Sequence, residues 1–159
     1  MPSGQKKTFL TKLTDVYTTD KEGVGTIRFE GNKIYKWVWF RNHTATVAGA
    51  AGDPVGYYAD GYSSHKVCAD MSDADAAPLG AGILQAAVTG TLDTDYYCWI
   101  QIKGAATVNQ ALAGTPAAGN KLIMSTTDLT LTKSTAAVDQ GCAYAQVVAN
   151  KTILCDFPW

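Results

Sequence analysis

The run Tyr96–Val108 constrains this chain more than any other segment. Tyr96, Tyr97, Trp99, Ile100 and Ile102 crowd its first half, and no proline interrupts it. Aromatic and β-branched side chains at this density fit a pleated, half-buried surface. A strand leaves its backbone N–H and C=O groups unsatisfied until another strand pairs with it. The rest of the chain must therefore supply partners, and it offers them in series. After the small-residue loop 111–119 come Lys121–Ser125, Leu129–Thr132, Cys142–Val148 and Thr152–Phe157, the last two joined by a turn at Ala149-Asn150-Lys151.

The first half reads the same way. Gly25–Glu30 and Lys33–Asn42 flank Gly31-Asn32, a pair that supplies the positive φ angles of a two-residue hairpin turn. Side chains alternate along a strand, so Ile34, Lys36, Val38 and Phe40 share one face of Lys33–Asn42. Tyr35, Trp37, Trp39 and Arg41 share the other. Short strands are expected at 55–59, 66–69 and 83–89, with a loop and at most one helical turn over 70–80. Residues 9–17 are open to two readings: a short helix, or an arm that docks on a neighbour. Nine or ten short strands with frequent turns predict an all-β sandwich or barrel.

At 159 residues the chain is one domain by length and can bury about 70% of its unfolded surface. The expected division is an N-terminal arm over 1–20 and a single β-sandwich domain over 21–159. Charged residues make up only 17%, below the usual ~25%. That depletion suits a surface that neighbours will cover. Residues 1–45 carry a net charge of +4 and the remainder −5, an asymmetry that can steer association. Basic residues are interspersed with acids, so no direct nucleic-acid partner is expected. No apolar run approaches the ~20 residues of a membrane span, so no membrane partner is expected.

Chemistry-bearing patterns are weak. Cys68, Cys98, Cys142 and Cys155 include no C-x-x-C pair. The N-terminus is polar and lysine-bearing, without an apolar leader, so the four are expected to be reduced, buried hydrophobes. Ser63-Ser64-His65 places a hydroxyl beside an imidazole, but adjacent strand residues point to opposite faces. Cys98 with His43 or His65 would make a nucleophile and base, yet flanking Tyr97 and Trp99 mark Cys98 as inward-facing. Asp70, Asp73 and Asp75 lack the spacing, glycine and glutamate of a calcium loop. Asn42 and Asn150 begin glycosylation sequons, read here as loop and turn residues. No catalytic, metal or cofactor site is expected.

The aromatic stripe Tyr35, Trp37, Trp39 with Arg41 is the stronger candidate, because Tyr, Trp and Arg are enriched at interface hot spots. Burial of both strand faces within a sandwich is the equal alternative. Stacked aromatics also suit sugar, which supports a second reading as a carbohydrate- or receptor-binding module on a virion. Phe157-Pro158-Trp159 is a second apolar anchor, since a free terminal Trp wants a docking site.

The segments Tyr97-Cys98-Trp99-Ile100-Gln101-Ile102-Lys103-Gly104, Ala113-Gly114, Pro116–Gly119 and Gly141–Ala145 resemble bacteriophage capsid decoration (cement) proteins. The front segment from Lys21 through Gly25, Arg28 and Glu30-Gly31-Asn32-Lys33 to Tyr35 resembles them too. The likeness spans most of residues 20–157, and the chain departs from it in its four cysteines and aromatic C-terminus. The resemblance implies a jelly-roll-like or β-tulip-like sandwich on the outside of an icosahedral shell. It implies a dimer or trimer, made in the host cytoplasm, that bridges neighbouring major capsid protein subunits, with no catalytic residues. On that reading Lys6, Lys7 and Phe9 of the arm, the stripe Tyr35, Trp37, Trp39 and Arg41, and Phe157 and Trp159 are the expected capsid or oligomer contacts.

Overall fold

A computed structural model describes residues 8–58, 65–72, 76–137, 139 and 141–159. Strand makes up 43% and helix 2%, so the all-β expectation holds. The strands are β1 (Val16–Tyr17), β2 (Ile27–Glu30), β3 (Lys33–Phe40), β4 (Pro54–Tyr58), β5 (Lys66–Cys68) and β6 (Ala76–Leu84), followed by β7 (Tyr96–Thr107), β8 (Lys121–Met124), β9 (Leu131–Lys133), β10 (Ala143–Val147) and β11 (Thr152–Asp156). All belong to one mixed sheet ordered β2-β3-β5-β4-β6-β7-β11-β10-β8-β9, with β1 attached to β7.

β7 organises the sheet because its length lets it serve two sets of partners. Its first half pairs with β3, Trp99 opposite Trp37 and Cys98 opposite Val38. Its second half pairs with β11, from Lys103 opposite Asp156 to Thr107 opposite Thr152. Between them, Ile100 and Gln101 also pair with Leu84 and Ile83 of β6. Pairings β3–β5, β5–β4, β4–β6, β6–β7 and β7–β3 then close a ring, which leaves none of those five strands a long open edge. The switch between partners falls at Gly104, whose φ is +91°. A Cβ there would lie 2.7 Å from the Asn32 carbonyl oxygen, so only glycine fits the crossover.

The main core fills the inside of the curled sheet, with Val38, Phe40, Ile83, Leu84, Ile100, Ile102, Leu122, Ile153 and Phe157 all at most 1% exposed. Sheet halves meeting across one apolar layer give a sandwich-like body. The hairpin turn forms at Gly31, the only residue of the Gly31-Asn32 pair with a positive φ (+58°).

Two local expectations change. Residues 76–80, read as loop, form the start of β6, and the strand expected at 83–89 stops at Leu84. Gly80 and Gly82 explain the first: a Cβ at Gly80 would meet Phe157 and Cys142, and one at Gly82 would meet the Gln101 carbonyl. The segment is built for close approach rather than for side-chain volume, so it lacks the apolar alternation of an ordinary strand signal. The turn at Ala149–Lys151 becomes a 3-10 turn over Val148–Asn150, ended by Lys151 with φ +54°.

Candidate interaction surfaces and the buried polar cluster

The alternation on β3 is as expected, but the aromatic face is covered. Residues 8–22 lie across it, so the described part of the expected arm belongs to the folded body. β1 pairs with β7, Val16 opposite Cys98 and Tyr17 opposite Tyr97. Phe9, Leu13, Tyr17 and Tyr97 pack on a cluster of Tyr35, Trp37 and Trp99. The Trp37 and Trp99 rings stand 5.2 Å apart at 62°, and Phe9 meets Trp99 edge-on at 5.5 Å. Neither alternative for residues 9–17 holds: the segment docks on its own chain, not as a helix.

Polar groups fasten this cover. Trp99 Nε1 donates to Thr11 Oγ1 at 2.8 Å. Glu22 Oε1 accepts from Leu10 N, Thr11 N and Thr11 Oγ1 at 2.7–2.8 Å. Arg28 donates to the Thr11 carbonyl at 2.9 Å, with its guanidinium 4.9 Å from the Phe9 ring centre. Trp37 Nε1 donates to Asp20 Oδ1 at 2.8 Å. Partial desolvation pushes the Asp20 carboxyl up, but hydrogen bonds from Gly23, Trp37, Val24 and Glu22 outweigh it and hold the group below its usual value.

The expected contact residues therefore separate. Trp37 is 0% exposed and Tyr35 5%, so neither touches a partner while the cover is in place. Phe9 is half-buried as part of that cover. Trp39 is half-buried, with Lys66 Nζ 5.0 Å from its ring centre, and its indole nitrogen finds no hydrogen-bond partner among the described residues. Arg41 turns back on its own chain, donating to Leu92 O at 2.6 Å and approaching Asp95 at 3.4 Å. Phe157 is a core residue at 0% exposure, whereas Trp159 is 61% exposed. Lys6 and Lys7 lie outside the described residues.

Among the described residues two exposed apolar patches stand out, and of their side chains the sequence reading named Trp159 alone. One is the outward face of the β10–β11 pair. Tyr144 stands opposite Leu154, and Leu154 opposite Ala105. Tyr144 and Leu154 are 40% and 42% exposed, and Val147, opposite Thr152, is 49% exposed. Inward-pointing Ala143, Ala145, Ile153 and Cys155 hold the two strands on the core and fix this outward set. The Lys103–Asp156 ion pair borders it. The sequence signal was the alternation Ala143-Tyr144-Ala145, whose small residues face in. The other patch is the aromatic pair Phe29–Trp159, ring centres 6.4 Å apart, where Phe29 of β2 is 66% exposed.

Among the described residues, Lys36, Tyr57 and His65 form a polar cluster without a carboxylate. Lys36 is 1% exposed, and its Nζ donates to Tyr57 Oη at 2.7 Å. Burial pulls the Lys36 ammonium down to about 8 and pushes the Tyr57 hydroxyl up to about 12. Burial and then the Lys36 charge lower His65 as well. His65 has φ +55°, and its Nδ1 is unpartnered among the described residues. Lys36 and Tyr57 are enclosed, whereas His65 is partly exposed. A shallow groove of about 250 Å³ elsewhere is lined by Lys33, Gln85, Gln101 and Thr107.

The weaker chemical candidates are consumed structurally. All four cysteines are buried. Burial pushes the Cys98, Cys142 and Cys155 thiols up to about 12, far from a reactive thiolate. Asp70 accepts from Thr44 N and Oγ1 and from Ala45 N, bracing a loop; Ser63, Ser64, Asp73 and Asp75 lie outside the described residues. Asn42 is 2% exposed and bonds Val47 O and Ala69 N, so it cannot present a sequon. His43 meets the Tyr58 ring edge-on. Among the described residues no group of three His, Cys, Asp or Glu could hold a metal ion, and no helix is long and apolar enough to cross a membrane. Compared with known protein families, curated proteins and solved structures, the chain matches none.

Proposed function

We propose that this protein is a capsid decoration protein, bound to the outside of a phage head, where it bridges neighbouring major capsid protein subunits. The observation that carries the reading is the outward β10–β11 face, with Tyr144 and Leu154 directly opposed and both exposed. A sheet face is stiff, so docking it orders few side chains and little backbone, which keeps the entropic cost of binding low. Tyr144 supplies a rigid amphipathic anchor, and its neighbours Leu154 and Val147 supply apolar area around it. Many copies on one shell turn modest single-site affinity into durable attachment. The resemblance of residues 20–157 to cement proteins points the same way.

The contact set differs from the one the sequence suggested. Trp37 and Tyr35 serve the fold, and the shell contact moves to Tyr144, Val147 and Leu154. The carbohydrate reading loses its basis with the burial of the Trp37 ring, which leaves the aromatic stripe without an open stacking platform. Cryo-electron microscopy of particles that carry the protein tests the proposal. Density for this fold on the shell exterior, with β10 and β11 towards the capsid surface, is the expected result. Particles without it refute the reading.

A further inference from the structure

The sheet has two ends, and they are treated differently. At the β9 end, Ala113 bridges to Thr132: Ala113 N donates to Leu131 O and Lys133 N to Ala113 O, so a loop closes that edge. At the other end, β2 pairs with β3 alone among the described residues. Trp37 N donates to Thr26 O. By the alternation of an antiparallel ladder, Arg28 and Glu30 then turn their backbone groups to β3, and Ile27 and Phe29 turn theirs outward. Natural proteins blunt such an edge with a charge or a proline. Here its centre is Phe29, 66% exposed, beside Trp159 at 61%.

The occupant can be read from β2 itself. A two-fold axis falls on a hydrogen-bonded pair at Ile27 or Phe29 and on a non-hydrogen-bonded pair at Arg28 or Glu30, and the latter two set like charge against like charge. With Phe29 on the axis, Phe29 faces Phe29 of the second copy, Arg28 faces Glu30 and Glu30 faces Arg28. The charges complement each other in both directions, on the same face where Arg28 and Glu30 already pair within one chain. With Ile27 on the axis, Ile27 would face Ile27, but Arg28 would face Thr26 and Phe29 would face Gly25, so neither the charges nor the aromatic rings would be matched. Opposite charges and aromatic pairs directly across an antiparallel ladder are stabilising. We infer that the free edge of β2 binds the same edge of a second copy, antiparallel about a two-fold axis at Phe29, with the Phe29–Trp159 pairs covering the join. Backbone hydrogen bonds supply the affinity and the Arg28–Glu30 pairs set the register. The interface is isologous and closes on itself, so it yields a dimer and not a fibre. It stands without the capsid reading, and the Tyr144–Leu154 face plays no part in it.

Sedimentation velocity of the full chain over a concentration series, with a cross-linking arm, tests this. The wild type is expected to shift from monomer to dimer, and Phe29→Lys to raise the dissociation constant at least about tenfold. Facing residues of a hydrogen-bonded pair lie about 5.5 Å apart at Cα, within disulfide reach. Because the native cysteines are buried, a Phe29→Cys thiol is the accessible one. With oxidised glutathione it should give a disulfide-linked dimer far faster than Val147→Cys does on the opposite part of the sheet. A wild type that stays monomeric, a Phe29→Lys dimer of unchanged affinity, or equal cross-linking at both positions overturns the inference.

Discussion

The Trp99 indole N–H donates to the Thr11 hydroxyl at 2.8 Å, across 88 residues of sequence. This bond pins the N-terminal segment to the centre of the longest strand, and Glu22 holds the same Thr11 hydroxyl from the other side. Replacing Thr11 by Val keeps the shape but strands a buried indole donor. Thr11→Val should cost about 1–2 kcal/mol in urea unfolding.

Trp37 and Trp159, both expected contact residues, should behave oppositely. Trp37 is wholly enclosed, so Trp37→Ala is expected to cost about 3–5 kcal/mol through lost transfer energy and a cavity. Trp159 is mostly exposed, so Trp159→Ala should stay within about 0.5 kcal/mol of wild type. Equal stability losses for the two would contradict the placement of the covered aromatic face.

Removing residues 1–17 should uncover Tyr35, Trp37 and Trp99, since Phe9, Leu13 and Tyr17 form their lid. The truncated chain is expected to be less stable and to bind a hydrophobic dye that the full chain ignores. Dye binding no higher than that of the full chain would mean that the segment does not seal this face.

Lys36 gives the fold an alkaline signature. Its ammonium loses its proton at about 8 in the folded protein instead of the ordinary 10.5, a gap worth about 3 kcal/mol. The lowered value belongs to a base, so the unfolded chain binds the extra proton between those two values. The folding penalty from Lys36 is therefore full below about 8 and lifts as pH rises towards 10.5. Burial raises Tyr57 and three cysteines, and these act in the opposite sense at alkaline pH. Comparison with Lys36→Met isolates the lysine. The wild type should gain about 2 kcal/mol relative to Lys36→Met between neutral pH and about pH 10 in denaturant titrations.

The thiols offer a direct check on packing. All four are buried, so iodoacetamide should label none in the native protein and all four after denaturation. Rapid native labelling of Cys98 would mean the β3–β7 seam is open.

Much of this architecture could be read from the chain, and the limits are physical. Alternation on β3 sorted Val38 and Phe40 from Trp37 and Trp39 correctly, because a period of two is local. What covers the Trp37 face depends on Thr11 and Glu22 meeting Trp99, a relation no local pattern encodes. β6 was hidden because Gly80 and Gly82 contribute close approach and no apolar signal. The parallel contact of β3 with β5 leaves no mark in turn residues. Phe157 was recognised as an anchor, but whether an apolar terminus turns inward or outward depends on the space beside Gly80. Tyr144 and Leu154 were legible in principle, since Ala143, Ala145, Ile153 and Cys155 mark the inward faces of β10 and β11.

The central claim is that the β10–β11 face holds this protein to a viral shell, and pelleting with purified heads of a phage whose genome carries this sequence tests that most directly. Wild-type protein should sediment with the heads at saturable stoichiometry. Tyr144→Asp with Leu154→Asp, folded by circular dichroism, should lose at least about tenfold in affinity, and Phe29→Lys should still bind as a monomer. A wild type that remains in the supernatant, or a double variant that sediments as fully as wild type, contradicts the claim.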